Sequence, residues 1–403
     1  MIPNLRRKST IPTVPKTTEL TVLHSVLSWL PQTANWLYTQ LVQLPRSIES
    51  HVVCESTQNL EQFSVPYIYS FEQLPRWRAF CDANLRRWGL RRHLGLLTTQ
   101  ARICQAQILH SHFGNMGWKN SKAARRLGLK HVVTFYGYDV NYLPLADRRW
   151  ARRYRELFQR VDRVLCEGPH MAKCIVALGC PENKVSVHHL GVRLDRIAFH
   201  PRSWAPGETL RVLIAASFKE KKGIPYALEA LGRLQHQVDL AVSIIGDADP
   251  ESTGSVEEKR VILELIAKHD LGRKTRLLGY QPLSVMLDEA RRNHVFLSPS
   301  VTASSGDTEG GAPVSIIEMA ASGMPIVSTV HCDIPEVIEN GVTGLLAPER
   351  DVDALVAHLS WLVRYPERWP AMLAAARASL EARYDARIQG QKLAAVYREL
   401  VDS

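Results

Sequence analysis

The clearest sign of a binding site in the sequence is a loop with two glycines, followed by a short predicted helix of apolar residues. The loop consists of Glu309, Gly310, Gly311, Ala312 and Pro313. A helix N-terminus presents unpaired N–H groups and a partial positive charge, and glycines let an anion approach the backbone closely. Proline suits the first helical turn, because the N–H that it lacks would have no helical partner there. The segment therefore predicts a site for an anion such as a diphosphate.

Two glutamates extend this chemistry beyond a phosphate. Glu318 falls inside the predicted helix, where a carboxylate can accept hydrogen bonds from two hydroxyl groups, as in a ribose diol. Glu309 falls on the loop, at the mouth of the same predicted pocket. A nucleoside diphosphate sugar would use backbone amides for its diphosphate, Glu318 for its ribose and Glu309 for its sugar. The alternative is a helix N-terminus with exposed acids and no ligand.

The elements around this loop form one strand–loop–helix–strand unit. Val295 to Leu297 predicts a buried strand, and residues 314–321 carry apolar side chains at helical spacing. Gly323 ends that helix, and Met324 to Val327 predicts the next strand. Such a βαβ unit indicates an α/β fold with a parallel sheet, in which ligands lie beyond the carboxyl ends of the strands.

A resemblance to a known family lies in the same stretch. The segment from Glu309 to Glu318, with Pro299 and Ser300 before it and the letters ASGMPIVST after it, resembles the paired-glutamate signature of the retaining glycosyltransferases of family 4. Eight residues separate the two glutamates, one more than in the commoner form of that signature. The letters IPEVIENGVTGLLAP, from Ile334 to Pro348, are also similar to that family. The resemblance implies the GT-B fold, with two Rossmann-like domains facing a cleft and a C-terminal helix that packs back on the first domain.

A lysine-rich loop with the letters SFKEKKGI follows the first predicted strand of the second domain, at residues 217–224. A lysine there can neutralise a diphosphate leaving group. Lys222 matches the lysine of the family's motif for this loop, which implies that Lys222 is catalytic. The arginine position of that motif falls on Ser217, so Lys219 or Lys221 is the candidate replacement in a donor-binding role. The alternative is a lysine-rich surface turn.

The predicted first domain supplies candidates for the acceptor side of the cleft. Its segments HSHFG and VVTFYGYDV, within residues 110–140, are similar to those of bacterial exopolysaccharide glycosyltransferases of the colanic-acid type. The resemblance implies cleft roles for His110, His112, Tyr136 and Asp139. Tyr136 stands where the family commonly has histidine, and it can donate a hydrogen bond but cannot act as a cation at neutral pH. Asn35 lies in the loop after the first predicted strand, Thr21 to Trp29, and is a further candidate for the acceptor side of the cleft. The alternative is that this loop is an ordinary βα turn.

Two pairs of residues raise the question of a metal. His110 and His112 are two apart on a predicted strand and share a face, but the sequence shows no third ligand near them. Asp247 and Asp249 form an Asp-x-Asp loop, although the turn after a parallel strand is the favoured interpretation. Family membership would imply that no metal is required. We therefore predict no metal and no cofactor, the nucleotide sugar being a substrate.

Length and composition bound the architecture. The chain has 403 residues, of which 45% are hydrophobic and 22% charged, as in a globular protein with two domains. We predict an N-terminal acceptor-binding domain at 1–203, a nucleotide-sugar-binding domain at 204–385 and a returning helix at 386–403. The seven cysteines form no C-x-x-C pair, which favours a reduced, cytoplasmic protein. The basic residues 1–16 have no secretory apolar core directly after them.

The formal net charge of +10 predicts acidic partners. Residues 75–103 concentrate this charge, since arginines interleave there with aromatic and aliphatic side chains: Arg78, Arg86, Arg87, Arg91 and Arg92 with Trp77, Phe80, Trp88 and Leu90. One interpretation is a surface pair of helices with solvated charges. The other is an interfacial patch for an anionic membrane or a lipid-diphosphate acceptor, peripheral on the inner face of the plasma membrane. No nucleic-acid fold signature is present, so nucleic acid is not an expected partner.

The resemblance implies a reaction: transfer of a sugar from a nucleoside diphosphate sugar to a hydroxyl of a carbohydrate or lipid-linked acceptor, with retention of configuration. In that mechanism the leaving diphosphate helps to take the acceptor proton, so no side-chain general base is expected. Two other functions stay open. One is a catalytically inactive GT-B protein that binds nucleotide sugars, which the Ser217 and Tyr136 departures favour, and the other is a GT-B nucleotide-sugar epimerase.

Overall fold

Two parallel β-sheets organise the chain. A computed structural model describes residues 19–31 and 34–403, so the basic stretch 1–16 lies outside the described residues. The first sheet has seven strands in the order β5-β3-β1-β6-β7-β8-β9, and the second has six in the order β12-β11-β10-β13-β14-β15. The strands are β1 (Leu20–Ser25), β2 (Ser28–Trp29), β3 (Ile48–Cys54), β4 (Ser56–Thr57), β5 (Ile68–Ser70), β6 (Ile108–His112), β7 (Lys130–Thr134), β8 (Arg163–Cys166), β9 (Val185–Val187), β10 (Leu210–Ala215), β11 (Leu240–Ile245), β12 (Thr275–Leu277), β13 (Val295–Ser298), β14 (Ile326–Thr329) and β15 (Leu345–Ala347).

Helices cover the sheets, as expected for parallel strands that are buried on both faces. The central strands β1, β6 and β13 are buried at every position. The helices are α1 (Asn35–Val42), α2 (Arg76–Arg87), α3 (Gly95–Ile103), α4 (Gly114–Leu127), α5 (Leu143–Ala146), α6 (Arg149–Phe158), α7 (Pro169–Ala177), α8 (Ile224–Leu234), α9 (Thr253–Lys268), α10 (Leu283–Arg292), α11 (Val314–Ala321), α12 (Ile334–Val337), α13 (Val352–Arg364), α14 (Trp369–Arg383) and α15 (Ala386–Asp402).

The last helix returns to the first sheet, as the sequence predicted. The chain crosses over beside Val192, whose N–H donates to the Tyr384 carbonyl at 2.8 Å and whose carbonyl accepts from Ala386 N–H at 3.0 Å. Leu393 and Tyr397 of α15 then pack with the apolar residues of β1 and its neighbours. The expected α/β GT-B architecture, with two Rossmann-like halves and a C-terminal helix on the first, is confirmed.

Two local predictions in the first sheet need correction. The predicted first strand, Thr21 to Trp29, is two strands, because the chain leaves the sheet after Ser25 and β2 pairs with β4 instead. In addition, helix α4 was not predicted from the sequence. Gly114 and Gly117 weaken helical propensity there, but both are needed, since a Cβ on either would collide with the Phe135 ring or the Val133 side chain.

Residues 75–103 form the predicted pair of helices, α2 and α3. Within the described ranges, every helix falls short of the length and apolarity that crossing a bilayer requires.

Candidate active site between the two sheets

The carboxyl ends of the two sheets border one cleft of about 710 Å³. Tyr136 follows β7 and Glu167 follows β8 on the first side, and Ser217 follows β10 on the second. The loop after β13, with Glu309, and the first turns of α11 complete the second side. The cleft therefore lies where parallel α/β sheets bind ligands.

A partly buried ion pair joins the two residues that the sequence predicted to be catalytic. The Lys222 ammonium donates to Glu309 Oε2 at 2.7 Å, and the Ser300 hydroxyl donates to Glu309 Oε1 at 2.8 Å. Burial on its own would raise the pKa of Glu309, but Lys222 and Lys221 hold that pKa below its ordinary value. A cation and a carboxylate, both lining the cleft, thus face each other across two loops of the second sheet.

Gly223 sets the position of Lys222. It adopts a left-handed conformation with φ of 63°, and a Cβ there would lie 1.9 Å from the Pro299 carbonyl oxygen. Only glycine permits this close approach between the lysine loop and the loop after β13.

The structure does not place Lys219 or Lys221 where either could replace the arginine of the family motif. Lys221 does not line the cleft, because its ammonium donates to Asp307 Oδ1 at 3.1 Å and to the Thr308 carbonyl at 2.8 Å. Lys219 is exposed and also lies off the cleft lining. Ser217 does line it, but a hydroxyl supplies no positive charge. Arg196 is a cleft-lining cation that the sequence analysis did not single out, and no carboxylate pairs with it within residues 19–31 and 34–403.

The two loop glycines contact the opposite side of the cleft. Gly310, with φ of 78°, packs against Gly137 of the first side so closely that a Cβ would lie 2.1 Å from the Gly137 Cα. Gly311 faces Glu167 in the same way. Neither glycine is among the residues that line the cleft, and both allow close contact with the opposite wall. That they also admit a phosphate stays a prediction. Ala312 and Pro313 do line it, as does the start of α11 at Val314 and Ser315.

Glu318 is where the sequence predicted it, one turn inside α11 and lining the cleft. It is buried, with 7% of its surface exposed, and burial raises its pKa to about 8. A carboxyl group that keeps its proton at neutral pH can donate one hydrogen bond and accept another. Such a group suits a vicinal diol at least as well as a carboxylate does.

Two further acids near the site were missed in the sequence. Glu167 lines the cleft, and burial followed by the neighbouring carboxylates of Asp333 and Asp139 raises its pKa well above the ordinary value. Asp333 reaches across to cap α7 of the first side, accepting from His170 N–H at 2.7 Å and Met171 N–H at 3.3 Å. Glu167 could have been predicted, because it directly follows the carboxyl end of a strand. The contact of Asp333 with α7 could not, because it joins parts of the chain that are far apart in sequence.

The first side of the cleft presents aromatic rings. Trp36 and Tyr136 both line it, with ring centroids 4.3 Å apart, and Asn35 and Phe63 lie on the same wall. The Tyr136 hydroxyl forms a 2.6 Å hydrogen bond with His112 Nδ1 in the interior. The Tyr136 hydroxyl is therefore already engaged in the interior, and its ring packs between those of Trp36 and Phe113.

His110, His112 and Asp139 do not line the cleft, contrary to prediction, because each is fully buried beneath it. Asp139 accepts from the backbone N–H groups of Gly114 and Tyr136, at 2.5 and 2.9 Å, and burial raises its pKa to about 6. It fixes the turns around the cleft wall and does not face the ligand space.

His24 completes a cluster with the two predicted histidines, a third partner that the sequence analysis did not find. His24 Nδ1 lies 3.1 Å from His112 Nε2, and His110 bonds Tyr397 at 2.6 Å and Thr134 at 2.7 Å. The rings of His110 and His112 are stacked, with centroids 4.2 Å apart. Burial lowers the pKa of His24 to about 3, so this is a neutral, hydrogen-bonded stack.

The Asp-x-Asp loop lies away from the cleft lining. Asp247 pairs with Lys259 at 2.7 Å, and this hydrogen bond lowers the pKa of Asp247. Asp249 accepts from Glu251 N–H at 3.0 Å, which is the bonding of a turn. The favoured interpretation of these residues as a turn agrees with their contacts.

Comparison with known families adds to this geometry. Residues 34–196 match the family model described as Glycosyltransferase Family 4, and residues 195–378 match that of Glycosyl transferases group 1. The putative colanic acid biosynthesis glycosyltransferase of Salmonella typhimurium is 35% identical over 295 residues, covering 70% of this chain and 68% of that protein. The amylovoran biosynthesis glycosyltransferase of Erwinia amylovora is 33% identical over 301 residues, covering 73% and 70%.

A solved structure shows the same fold at low identity. The Anabaena protein HepE, in complex with UDP and glucose, superposes with a TM-score of 0.74 at 15% identity, over 94% of this chain and all of that chain.

Proposed function

The chain belongs to glycosyltransferase family 4, and from that premise we propose that it transfers a sugar from a nucleoside diphosphate sugar to an acceptor hydroxyl with retention of configuration. The relatives named for colanic acid and amylovoran biosynthesis support a place in the assembly of an exopolysaccharide or glycolipid. UDP bound in the Anabaena structure supports a nucleoside diphosphate as the leaving group.

The observation that carries the proposal is the partly buried Lys222–Glu309 pair, which lines the same cleft as Glu318. In the proposed complex, Glu318 holds the ribose diol and the N-terminus of α11 faces the diphosphate. Lys222 stabilises the charge that grows on the leaving diphosphate, and Glu309 orients the transferred sugar. Arg196 is the candidate second cation, because Arg193, which also lines the cleft, is already paired with Asp195 at 2.7 Å.

The proposed step breaks the bond between the anomeric carbon and the diphosphate oxygen. The acceptor oxygen bonds to the same face of that carbon, and the acceptor proton passes to the departing diphosphate. No side-chain general base is required in this scheme. The chain's part is to position the reactants and to stabilise the developing charge.

We assign the acceptor to the wall formed by Asn35, Trp36 and Tyr136. The paired rings of Trp36 and Tyr136 offer an apolar face to a saccharide ring, and the amide of Asn35 can bond a hydroxyl group. The same wall suits a carbohydrate acceptor or the sugar of a lipid-linked acceptor.

The test is a transfer assay with a panel of uridine, guanosine and adenosine diphosphate sugars, with oligosaccharide and glycolipid fractions as acceptors. Proton NMR of the product should show the anomeric configuration of the donor, and transfer should survive excess chelator. Inversion would contradict the proposed mechanism. Loss of activity with chelator, restored by manganese or magnesium, would contradict metal independence.

The same assay distinguishes the other functions. Chemical change of the donor without an acceptor would identify an epimerase. Donor binding without turnover in any acceptor fraction would identify an inactive binding protein.

A further inference from the structure

Helix α2 exposes large apolar side chains and buries a charged one, the reverse of an ordinary surface helix. Its outer face and the turn after it carry four large apolar side chains that are mostly in solvent: Trp77 is 65% exposed, Phe80 70%, Trp88 69% and Leu90 72%. Single exposed apolar residues are common, but four within fourteen positions of the chain form a patch. We call these four residues the aromatic patch.

The inner side of the same helix holds a charge. Asp82 is buried, with 5% of its surface exposed, and its carboxylate pairs with Arg86 at 3.0 Å and with Arg91. Asp82 Oδ1 also accepts from Gly95 N–H, at 2.7 Å, which ties α2 to the start of α3. The apolar residues thus face outward although a buried position on this helix is available, and that position is filled by an ion pair.

The charge around the patch has one sign. Asp82 is the only acidic residue between positions 75 and 103, and its charge is already neutralised inside. The arginines Arg76, Arg78 and Arg87 are exposed on α2, and the Arg78 guanidinium lies 5.1 Å from the Trp77 ring centroid. Exposed cations therefore surround exposed aromatic rings, with no acid to compensate for them within this segment.

The structure also changes which arginines belong to this surface. Arg86 pairs with Glu55 at 2.8 Å as well as with Asp82. Arg92 lies over the Trp118 ring at 4.0 Å and pairs with Glu156 at 3.3 Å. Together with Arg91, these residues hold α2 and the loop after it to the body of the protein. They are not available to a partner.

The patch is linked to the acceptor side of the cleft. Glu55, which anchors Arg86, directly follows β3 at the carboxyl end of the first sheet. The next segment carries Phe63, a residue of the cleft wall whose carbonyl accepts from Trp29 Nε1 at 2.9 Å. A surface that bound through α2 would lie on the side of the first sheet that carries this wall.

We propose that α2 docks this protein peripherally on an anionic lipid bilayer, with the aromatic patch at headgroup depth and Arg76, Arg78 and Arg87 on the lipid phosphates. Tryptophan and phenylalanine side by side with arginine are the side chains that favour the interface of a membrane. Several cations close to an anionic surface bind it additively and in a salt-dependent manner. The proposal concerns binding alone and does not depend on the glycosyl transfer proposed above.

The experiment is co-sedimentation of the full chain with vesicles of phosphatidylglycerol and phosphatidylcholine, and with pure phosphatidylcholine, at low and high salt. The protein should pellet with the anionic vesicles at low salt and remain in the supernatant with the neutral ones. Two variants test the patch: the triple Trp77→Ser, Phe80→Ser, Trp88→Ser and the triple Arg76→Glu, Arg78→Glu, Arg87→Glu. Each should reduce the bound fraction at least about tenfold.

The matched control is Arg273→Glu, Arg364→Glu, Arg368→Glu, which changes the net charge equally at exposed positions around the second sheet. This control should pellet nearly as wild type does, and circular dichroism should show all variants folded. No pelleting with anionic vesicles, or equal loss in the control, would overturn the proposal. Sedimentation velocity without lipid tests whether a second copy of the chain covers the patch instead. A wild-type dimer that dissociates in the Trp77→Ser, Phe80→Ser, Trp88→Ser variant would overturn the lipid proposal in favour of a dimer.

Discussion

At the scale of single residues, Glu309 is held between a cation and a hydroxyl group, so its charge and its position are both fixed before any ligand binds. The Lys222 ammonium lies 2.7 Å from Glu309 Oε2 and offsets its charge. In the proposed complex, a bound diphosphate would compete with Glu309 for the same ammonium group. The proposal therefore predicts that Lys222 exchanges one anion for another when the donor binds.

Glu309→Gln should lower the turnover number by about 100-fold, because the carboxylate that orients the sugar and offsets Lys222 is lost. The affinity for a free nucleoside diphosphate should stay equal or rise, since Lys222 is released from its partner. Steady-state kinetics and calorimetric titration measure the two effects separately. Ser300→Ala, which removes the 2.8 Å hydrogen bond to the other oxygen, is the control and should have the smaller effect. Normal turnover together with lost nucleotide binding in Glu309→Gln would show that the role is wrongly assigned.

The sequence was informative about residues that face the ligand space and less so about those beneath it. Glu309, Glu318 and Lys222 could be named because their chemistry depends on a local loop and helix. His110 and Asp139 were misplaced, because the resemblance implies a cleft role for each position but does not show that packing buries both side chains completely. His24 joins this cluster from a position 86 residues before His110, a distance that no local pattern spans.

At the scale of elements, the loops on the two sides of the cleft touch through glycines. Gly137 and Gly310 both have positive φ, and neither has room for a Cβ against the other. Asn141 also donates to Thr308 Oγ1 across the same boundary, at 2.7 Å. The loop that carries Glu309 is thus positioned partly by the opposite side of the cleft.

Gly137→Ala should reduce turnover and weaken donor binding, because its Cβ would lie 2.6 Å from the Glu309 carbonyl oxygen and push that loop away. Gly128→Ala is the matched control, since its φ of 68° is similarly left-handed but nothing lies within 4 Å of the added Cβ. Both variants should lose about 1–2 kcal/mol of stability from backbone strain. Only Gly137→Ala should lose activity, as measured by kinetics beside thermal unfolding. Equal kinetics in the two variants would show that the Gly137 contact does not position the loop that carries Glu309.

Element type was predictable where apolar periodicity was strong and unpredictable where packing overrides propensity. The second sheet follows long apolar runs such as residues 210–215 and 240–245, which the sequence showed directly. Helix α4 begins Gly-Asn-Met-Gly and has no such signal, although tertiary packing against β7 stabilises it. The strand pair β2–β4 likewise depends on residues distant in the chain.

At the scale of the whole molecule, buried neutral histidines make the fold sensitive to acid. Burial lowers the pKa of His24 and His131 to about 3 and that of His188 to about 4. The unfolded chain takes up these protons near pH 6.5 and the folded chain only at much lower pH. Their contribution to stability is therefore complete above pH 6.5 and is lost as the pH falls toward about 3. Burial raises the pKa of Glu318 to about 8 and that of Glu258 to about 7, from an ordinary value of 4.5. The contribution of these two groups to stability is therefore complete at low pH and is lost as the pH rises through those values.

His24→Gln should flatten the dependence of unfolding free energy on pH between 6.5 and 5. One unmatched proton corresponds to about 1.4 kcal/mol for each pH unit, so the slope should decrease by about that amount. Urea unfolding at pH 6.5, 6.0, 5.5 and 5.0 measures it, with the exposed His236→Gln as control. An unchanged slope in His24→Gln would mean that His24 titrates normally in the folded protein.

The proposed function depends above all on a nucleoside diphosphate binding in the cleft with Glu318 on its ribose. The most direct measurement is calorimetric titration of uridine, guanosine and adenosine diphosphates into wild type, Glu318→Ala and Glu258→Ala. Glu258 is the matched control, because it is another buried acid of the second half that does not line the cleft. We predict that at least one diphosphate binds wild type, that Glu318→Ala weakens it by about 1–3 kcal/mol, and that Glu258→Ala leaves it unchanged. Equal affinity in wild type and Glu318→Ala, or an equal loss in both variants, would contradict the account.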